Sequence, residues 1–302
     1  MNIQVIIAYL IISIVWGTSF MSTKLALQSF PPFWQVAIQF LSAGGLMLIW
    51  CKWKKLPFPN QWQDYLRIGM LATLFLTIGN GFLVWSQIVL PSGLAAIICA
   101  ALPLWMAVFS IVKYGFRKTG WVTLAGVITG FTGMVILVYP TITDIKPGTL
   151  SALIIIFLST ISWASGTYWM NQVGRKYNTT VFSAIEMSMA GVMLLLIALC
   201  GPSVKWEAVS MTSILSLGYL SLVVSILGYT AFFYLFSHAS PTWASTYAYI
   251  NPVIAVFLGW LILREPLTLN LILGAMIILA SVAVVNGNQY QRSKAALKKE
   301  NQ

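Results

Sequence analysis

The chain has 302 residues, 59% of them hydrophobic and only 8% charged, with a net charge of +11. Soluble domains carry about 25% charged residues, so this much apolar surface has no single core to hide in, and lipid is the solvent left for it. The positive charge is dispersed in short clusters between apolar runs, with no basic patch interleaved with aromatics. That pattern argues against a nucleic-acid partner and fits the orientation signals of a membrane protein.

A helix needs roughly 17–25 apolar residues to cross a bilayer. Such runs fall at about 3–22, 33–51, 67–88, 93–113, 120–139, 148–170, 179–200, 211–236, 242–263 and 268–286. The first lacks a basic leader and a good cleavage site around Trp16-Gly17-Thr18-Ser19-Phe20, so it reads as a retained helix rather than a signal peptide. Turn-forming residues separate the runs: Pro31-Pro32, Pro57, Pro91, Pro140, Pro147-Gly148, Gly201-Pro202, Pro241 and Pro266. A polar tail at 288–302 is expected to be cytoplasmic and disordered beyond its first turn. Cys51, Cys99 and Cys200 lie in or beside apolar runs and have neither disulfide nor metal-ligand spacing.

With a cytoplasmic N-terminus, only Lys24, Lys146, Lys205 and Arg264 of the 17 basic residues fall outside, and the other thirteen fall inside. That asymmetry is a positive-inside signal. It places both termini in the cytoplasm and favours an even number of spans.

The two halves resemble each other. At a shift of 147, Ala37–Gly44 falls on Ala184–Gly191 and Trp16 on Trp163. At 149, Gly69, Gly79 and Pro103 fall on Gly218, Gly228 and Pro252; at 148, Ala107-Val108-Phe109 falls on Ala255-Val256-Phe257 and Gly126 on Gly274. A nearly constant offset across every helix pair indicates an internal duplication. Each unit, at 5–139 and 148–287, holds five helices, an odd number, so the second must enter from the opposite side. The expected fold is therefore an all-α membrane protein of ten transmembrane helices in two inverted five-helix repeats, the symmetry that underlies alternating access in many secondary transporters.

The repeated tryptophan motif, the Pro-containing fourth and ninth helices, and the segment from Ser245 through Asn251-Pro252 to Gly259 and Glu265 resemble the EamA family. This is the ten-helix branch of the drug/metabolite transporter superfamily. The resemblance covers about residues 5–287. It implies a central cavity lined by the first four helices of each repeat and transport of small metabolites, often amino acids or related compounds. Many members carry an Arg in the second helix where this chain has Gln39, so a substrate-carboxylate contact through that Arg does not carry over.

Glu186 is the one acidic residue read well inside a span, where a carboxylate costs roughly 2.5–3.5 kcal/mol and is by default functional. It reads as a proton-coupling or substrate-amine site, or else as a structural hydrogen-bond partner of the symmetry-related Gln39. Asn80 and Gln87, two turns apart, join Gln39, Tyr247, Tyr249 and Asn251 as neutral hydrogen-bond groups, either lining a cavity or bonding helices together at roughly 0.6 kcal/mol each. Trp16, Ser19, Trp163, Ser165 and Thr167 offer aromatic and hydroxyl groups for stacking on or orienting a substrate. Pro103 and Pro252 interrupt matching helices and serve as hinges or as plain packing kinks. Trp50, Trp53, Trp62, Trp121 and Trp206 read as interfacial belt residues.

Together these features favour a secondary transporter, with export as the preferred direction, driven by protons or by the substrate gradient and needing no cofactor. A passive facilitator is the alternative; a membrane-embedded enzyme is disfavoured because no H-E-x-x-H or Gly-x-Ser-x-Gly motif is present. No Walker motif supports ATP-driven transport. Substrate identity and the choice between monomer and homodimer stay open.

Overall fold

A computed structural model of the protein describes residues 3–115, 120–143, 147–173, 177–238 and 246–300, and every secondary-structure element among them is a helix. Lys146, Pro241 and Ser245, used above, lie outside the described residues. The helices are α1 (Ile3–Ala26), α2 (Pro32–Trp53), α3 (Trp62–Ser86), α4 (Ser92–Lys113), α5 (Trp121–Thr143), α6 (Thr149–Val173) and α7 (Thr179–Leu199). They continue with α8 (pieces Met211–Tyr219, Leu220–Leu227 and Gly228–His238), α9 (Tyr247–Leu263) and α10 (Leu269–Glu300). Among the described residues nine are long and apolar enough to cross a bilayer, and α9 is a shorter apolar helix.

Lipid offers no hydrogen bonds to a backbone, which makes helix the default for such runs. The ends are set locally. Pro32 opens α2, where its missing N–H costs nothing. The Asn178 side chain accepts from Thr180 N and Val181 N to start α7, and Ser210 accepts from Ser213 N to start α8. Arg264, at φ 57°, turns the chain out of α9 while Glu265 N donates to Gly259 O at 3.0 Å. The belt tryptophans Trp50, Trp53, Trp62, Trp121 and Trp206 are all exposed.

Three expectations are corrected. Pro140 does not end α5, which runs on to Thr143; the Ile136 carbonyl that Pro140 leaves without its helical donor accepts from Asn270 Nδ2 of α10 at 3.3 Å. Pro252 does not interrupt α9 but lies inside it, whereas Pro103 follows a real break at Ala101 between Ser92–Ala100 and Leu102–Tyr114. The tail is not an early coil, since α10 continues as helix through Glu300. Its Gln, Arg, Lys, Ala and Leu residues are good helix formers with no Gly or Pro after Gly287.

The most extensive helix pairs are α2 with α7 and α5 with α10. Around them, α1 packs on α8 and α9, α6 packs on α3 and α4, and α4 meets α9. Glycines set the two main pairs. A Cβ at Gly44 would lie 2.5 Å from Ser188 Oγ, and one at Gly191 would lie 2.8 Å from Leu41 N. As α2 advances from Leu41 to Gly44, its partner residue retreats from Gly191 to Ser188, so α2 and α7 run antiparallel. In the same way a Cβ at Gly126 would meet Val285 at 2.7 Å, and one at Gly274 would meet Leu137 at 2.7 Å, making α5 and α10 antiparallel. Small residues are what let helix backbones approach this closely in a membrane. Gly126 and Gly130 therefore serve packing within the chain, against α10 and Leu104.

Two stretches depart from α-helix. Thr73–Asn80 in α3 and Leu220–Leu227 in α8 are π-helical, and they lie 147 residues apart, within two residues of the 149 shift that pairs Gly79 with Gly228. A π turn displaces carbonyls from the regular ladder and occurs often at functional sites. In α3 those carbonyls are met from α6, with Ser159 Oγ donating to Gly79 O at 2.5 Å and Ser162 Oγ to Leu74 O at 2.8 Å.

The α2–α7 contact yields a stability prediction. Gly44→Ala forces a methyl group against Ser188 and should lower stability in detergent by about 1–3 kcal/mol. Gly45→Ala, with nothing within 4 Å of the new carbon, should be neutral or mildly stabilising. Thermal unfolding of the two purified variants, followed by loss of the monodisperse peak, compares them directly.

Candidate functional site

The π segments carry the centre of the molecule. Trp16 of α1 is a hub: its ring centroid lies 5.4 Å from Phe232, 5.5 Å from Tyr229, 5.5 Å from Tyr247 and 6.4 Å from Trp163. Trp163 of α6 in turn stands edge-on to Phe75 at 5.7 Å. The tryptophans reach these places because glycines make room. A Cβ at Gly228 would lie 2.6 Å from Trp16 Nε1, and one at Gly79 would lie 3.3 Å from the Trp163 ring. Each half's tryptophan thus rests on a glycine of the other half's third helix, Gly79 inside the π segment of α3 and Gly228 directly after that of α8. Both tryptophans stay partly exposed.

Beside this cluster, α2 and α7 present Gln39 and Glu186, 4% and 2% exposed. Gln39 Nε2 donates to Ser225 Oγ at 3.0 Å, inside the π segment of α8. Glu186 is different. Its Oε1 is buried with no hydrogen-bond partner, and its chain neighbours Ile185 and Met187 pack in one core cluster with Tyr229. The direct Gln39–Glu186 hydrogen bond weighed from the sequence is not formed among the described residues. A buried carboxylate without a partner is costly in its charged form, so packing alone gives no reason for a glutamate here.

The other singled-out residues separate. Tyr247 joins the aromatic cluster. The Asn80 Oδ1, at the end of the α3 π segment, is buried without a partner. Asn251, with its amide turned to donate, bonds Ser13 O at 2.9 Å and Tyr247 O at 3.2 Å, joining α9 to α1. The Tyr249 hydroxyl accepts from Asn286 Nδ2 at 2.7 Å and so ties α9 to α10, away from the group it was placed with. Ser19, Ser165 and Thr167 donate to carbonyls of their own helices. Sequence reasoning missed Tyr229, Phe232, Phe75 and Ser225. One signal existed: at the shift of 149 that pairs Gly79 with Gly228, Tyr229 falls opposite Asn80.

At the end of the bundle opposite the termini, a cleft of about 780 Å³ opens between the loops. Its lining includes Lys24, Gln28, Gln87, Lys205 and Glu265, with Pro31, Pro32, Pro91 and Pro202 in the walls. Glu265 caps the start of α4: Ser92 N donates to Oε1 at 2.7 Å, while Ser92 Oγ and Gly93 N donate to Oε2 at 2.9 and 3.1 Å. Gln87 belongs to this cleft rather than to the aromatic centre. Among the described residues no group of three or more metal-ligating side chains is present.

Comparison with known proteins accords with this architecture. The model of the EamA-like transporter family matches residues 3–139 and 150–287. The chain is 31% identical over 252 residues to an uncharacterized inner membrane transporter, YedA, of Escherichia coli (strain K12), covering 82% of this chain and 78% of that protein. It is 29% identical over 303 residues to an uncharacterized transporter, YvbV, of Bacillus subtilis (strain 168), covering 97% and 94%. A solved crystal structure, 18% identical, superposes with a TM-score of 0.65 over 94% of this chain and 98% of the other, a likeness of fold. Those two relatives are named as transporters and not as enzymes. The chain belongs to the EamA-like transporter family and is a multi-pass membrane transporter.

Proposed function

We propose that the protein is a proton-coupled secondary transporter that exports small metabolites such as amino acids by alternating access between two inverted five-helix repeats, 5–139 and 148–287. The observation that carries the coupling is Glu186, buried without a hydrogen bond to Oε1 beside the Trp16–Tyr229 cluster, where equivalent helices cross. Burial disfavours the charged carboxylate, while opening of the centre to water or arrival of a substrate cation favours it. One group then exchanges a proton for a substrate as the bundle changes state. The antiparallel contacts of α2 with α7 and of α5 with α10 support the inversion. Two similar halves of opposite sense can exchange conformations, and with them the side that is open. The distribution of basic residues supports cytoplasmic termini, which puts the Lys24–Glu265 cleft on the outer face.

Two experiments test this reading. In proteoliposomes loaded with a metabolite panel, an imposed pH gradient should drive concentrative transport by the wild type, and Glu186→Gln should abolish the gradient-driven part. Unchanged driven transport in the variant removes Glu186 from the coupling, and unsaturable flux by the wild type points to a passive facilitator. For topology, a reporter active only in the cytoplasm, fused after Gln302, should give signal; a periplasmic signal overturns the orientation.

A further inference from the structure

We propose that the cleft opposite the termini is a recognition site for the carboxylate of a small metabolite, with Lys24 supplying the charge and Gln87 an acceptor for an N–H or O–H of the same molecule. The inference rests on the transporter reading for the identity of the ligand as a transported metabolite.

The charges in the cleft do not close on one another. Glu265 lies within electrostatic range of Lys24, but both of its oxygens are committed to Ser92 and Gly93 at the start of α4. Among the described residues, Lys24 forms no hydrogen bond or ion pair of its own, although it is partly buried in the last turn of α1. An ammonium has three donors and seeks oxygen acceptors. The exposed Lys205 adds a second positive charge to the same lining, so two cations face the single negative charge of Glu265 and the cleft has an anion-attracting balance. Gln87 is 1% exposed and its Oε1 has no partner, an acceptor held in place with nothing donating to it. Four prolines in the walls restrict the backbone around the cavity. The volume of about 780 Å³ falls within the range of small-molecule sites. A carboxylate on Lys24 and an ammonium or hydroxyl on Gln87 would satisfy both unpaired groups with one ligand, which describes an amino acid or a hydroxy acid.

The test is equilibrium binding to the full chain in nanodiscs. The probes are the proteinogenic L-amino acids and simple monocarboxylates, each beside the amine or alcohol that lacks the carboxylate. Carboxylate probes should bind and their decarboxylated counterparts should not. Lys24→Met should weaken binding by about 10-fold or more, the size of a lost charge-assisted hydrogen bond, and Lys24→Arg should restore most of it. Gln87→Leu should weaken amino acids while leaving monocarboxylates unchanged. Amines that bind as well as acids, chloride competing as well as carboxylates, no carboxylate binding at all, or wild-type affinity in Lys24→Met would each overturn the proposal. The two readings fail separately: normal binding by Lys24→Met leaves the coupling intact, and driven transport by Glu186→Gln leaves the cleft intact.

Discussion

The close approach of α2 and α7 is the constraint on which the rest depends. Lipid supplies no hydrophobic force to press two apolar helices together, so their association relies on van der Waals contact and polar bonds at short range. Gly44 and Gly191 permit that contact, each by lacking a side chain where the other helix's backbone or a serine passes. The reciprocity has a consequence for chemistry. It sets Gln39 and Glu186, equivalent residues of the two helices, on opposite sides of one crossing, both buried and both beside the third helix of the second repeat.

The third helices show how such a packing can still carry moving parts. A regular helix in lipid satisfies all its backbone groups, which makes it stiff and inert. The π segments at Thr73–Asn80 and Leu220–Leu227 give up that regularity at nearly matching places, and in α3 a neighbouring helix makes good the difference. Ser159 and Ser162 bond the α3 carbonyls, while Gln39 reaches Ser225 in α8. The tryptophans of α1 and α6 rest on glycines within or directly after these segments, so an aromatic cluster, a buried carboxylate and two irregular helices share one region. The halves differ in what they place there: Glu186 where the first has Gln39, and Tyr229 where it has Asn80.

Much of this was legible in the sequence because a bilayer imposes a coarse rule. Length and hydropathy give the spans, and basic residues bias the loops. Boundaries were less legible. Pro140 looks like a stop in sequence, yet the helix passes it because Asn270, on a helix 130 residues later, supplies the bond that Pro140 withdraws. Tyr249 and Asn251 were open to two readings, cavity group or helix-joining bond; Asn286 and Ser13 tie them across helices, and Asn251 also bonds Tyr247 O within α9. Polarity inside a span does not distinguish a ligand-binding group from one that joins helices; only the partner does.

The sequence by itself determined that the chain spans a membrane, that it carries two similar halves, and that Glu186 is anomalous, since each follows from residue type and order. Which glycine faces which helix, where the π turns fall, how Trp16 comes to rest on Gly228, and that Lys24 and Gln87 share a cleft with a carboxylate already engaged were decided by the tertiary structure. The physical reason is range. Hydropathy and charge act residue by residue against the solvent, whereas a close approach or an unpaired acceptor is a relation between atoms brought together only when the helices pack.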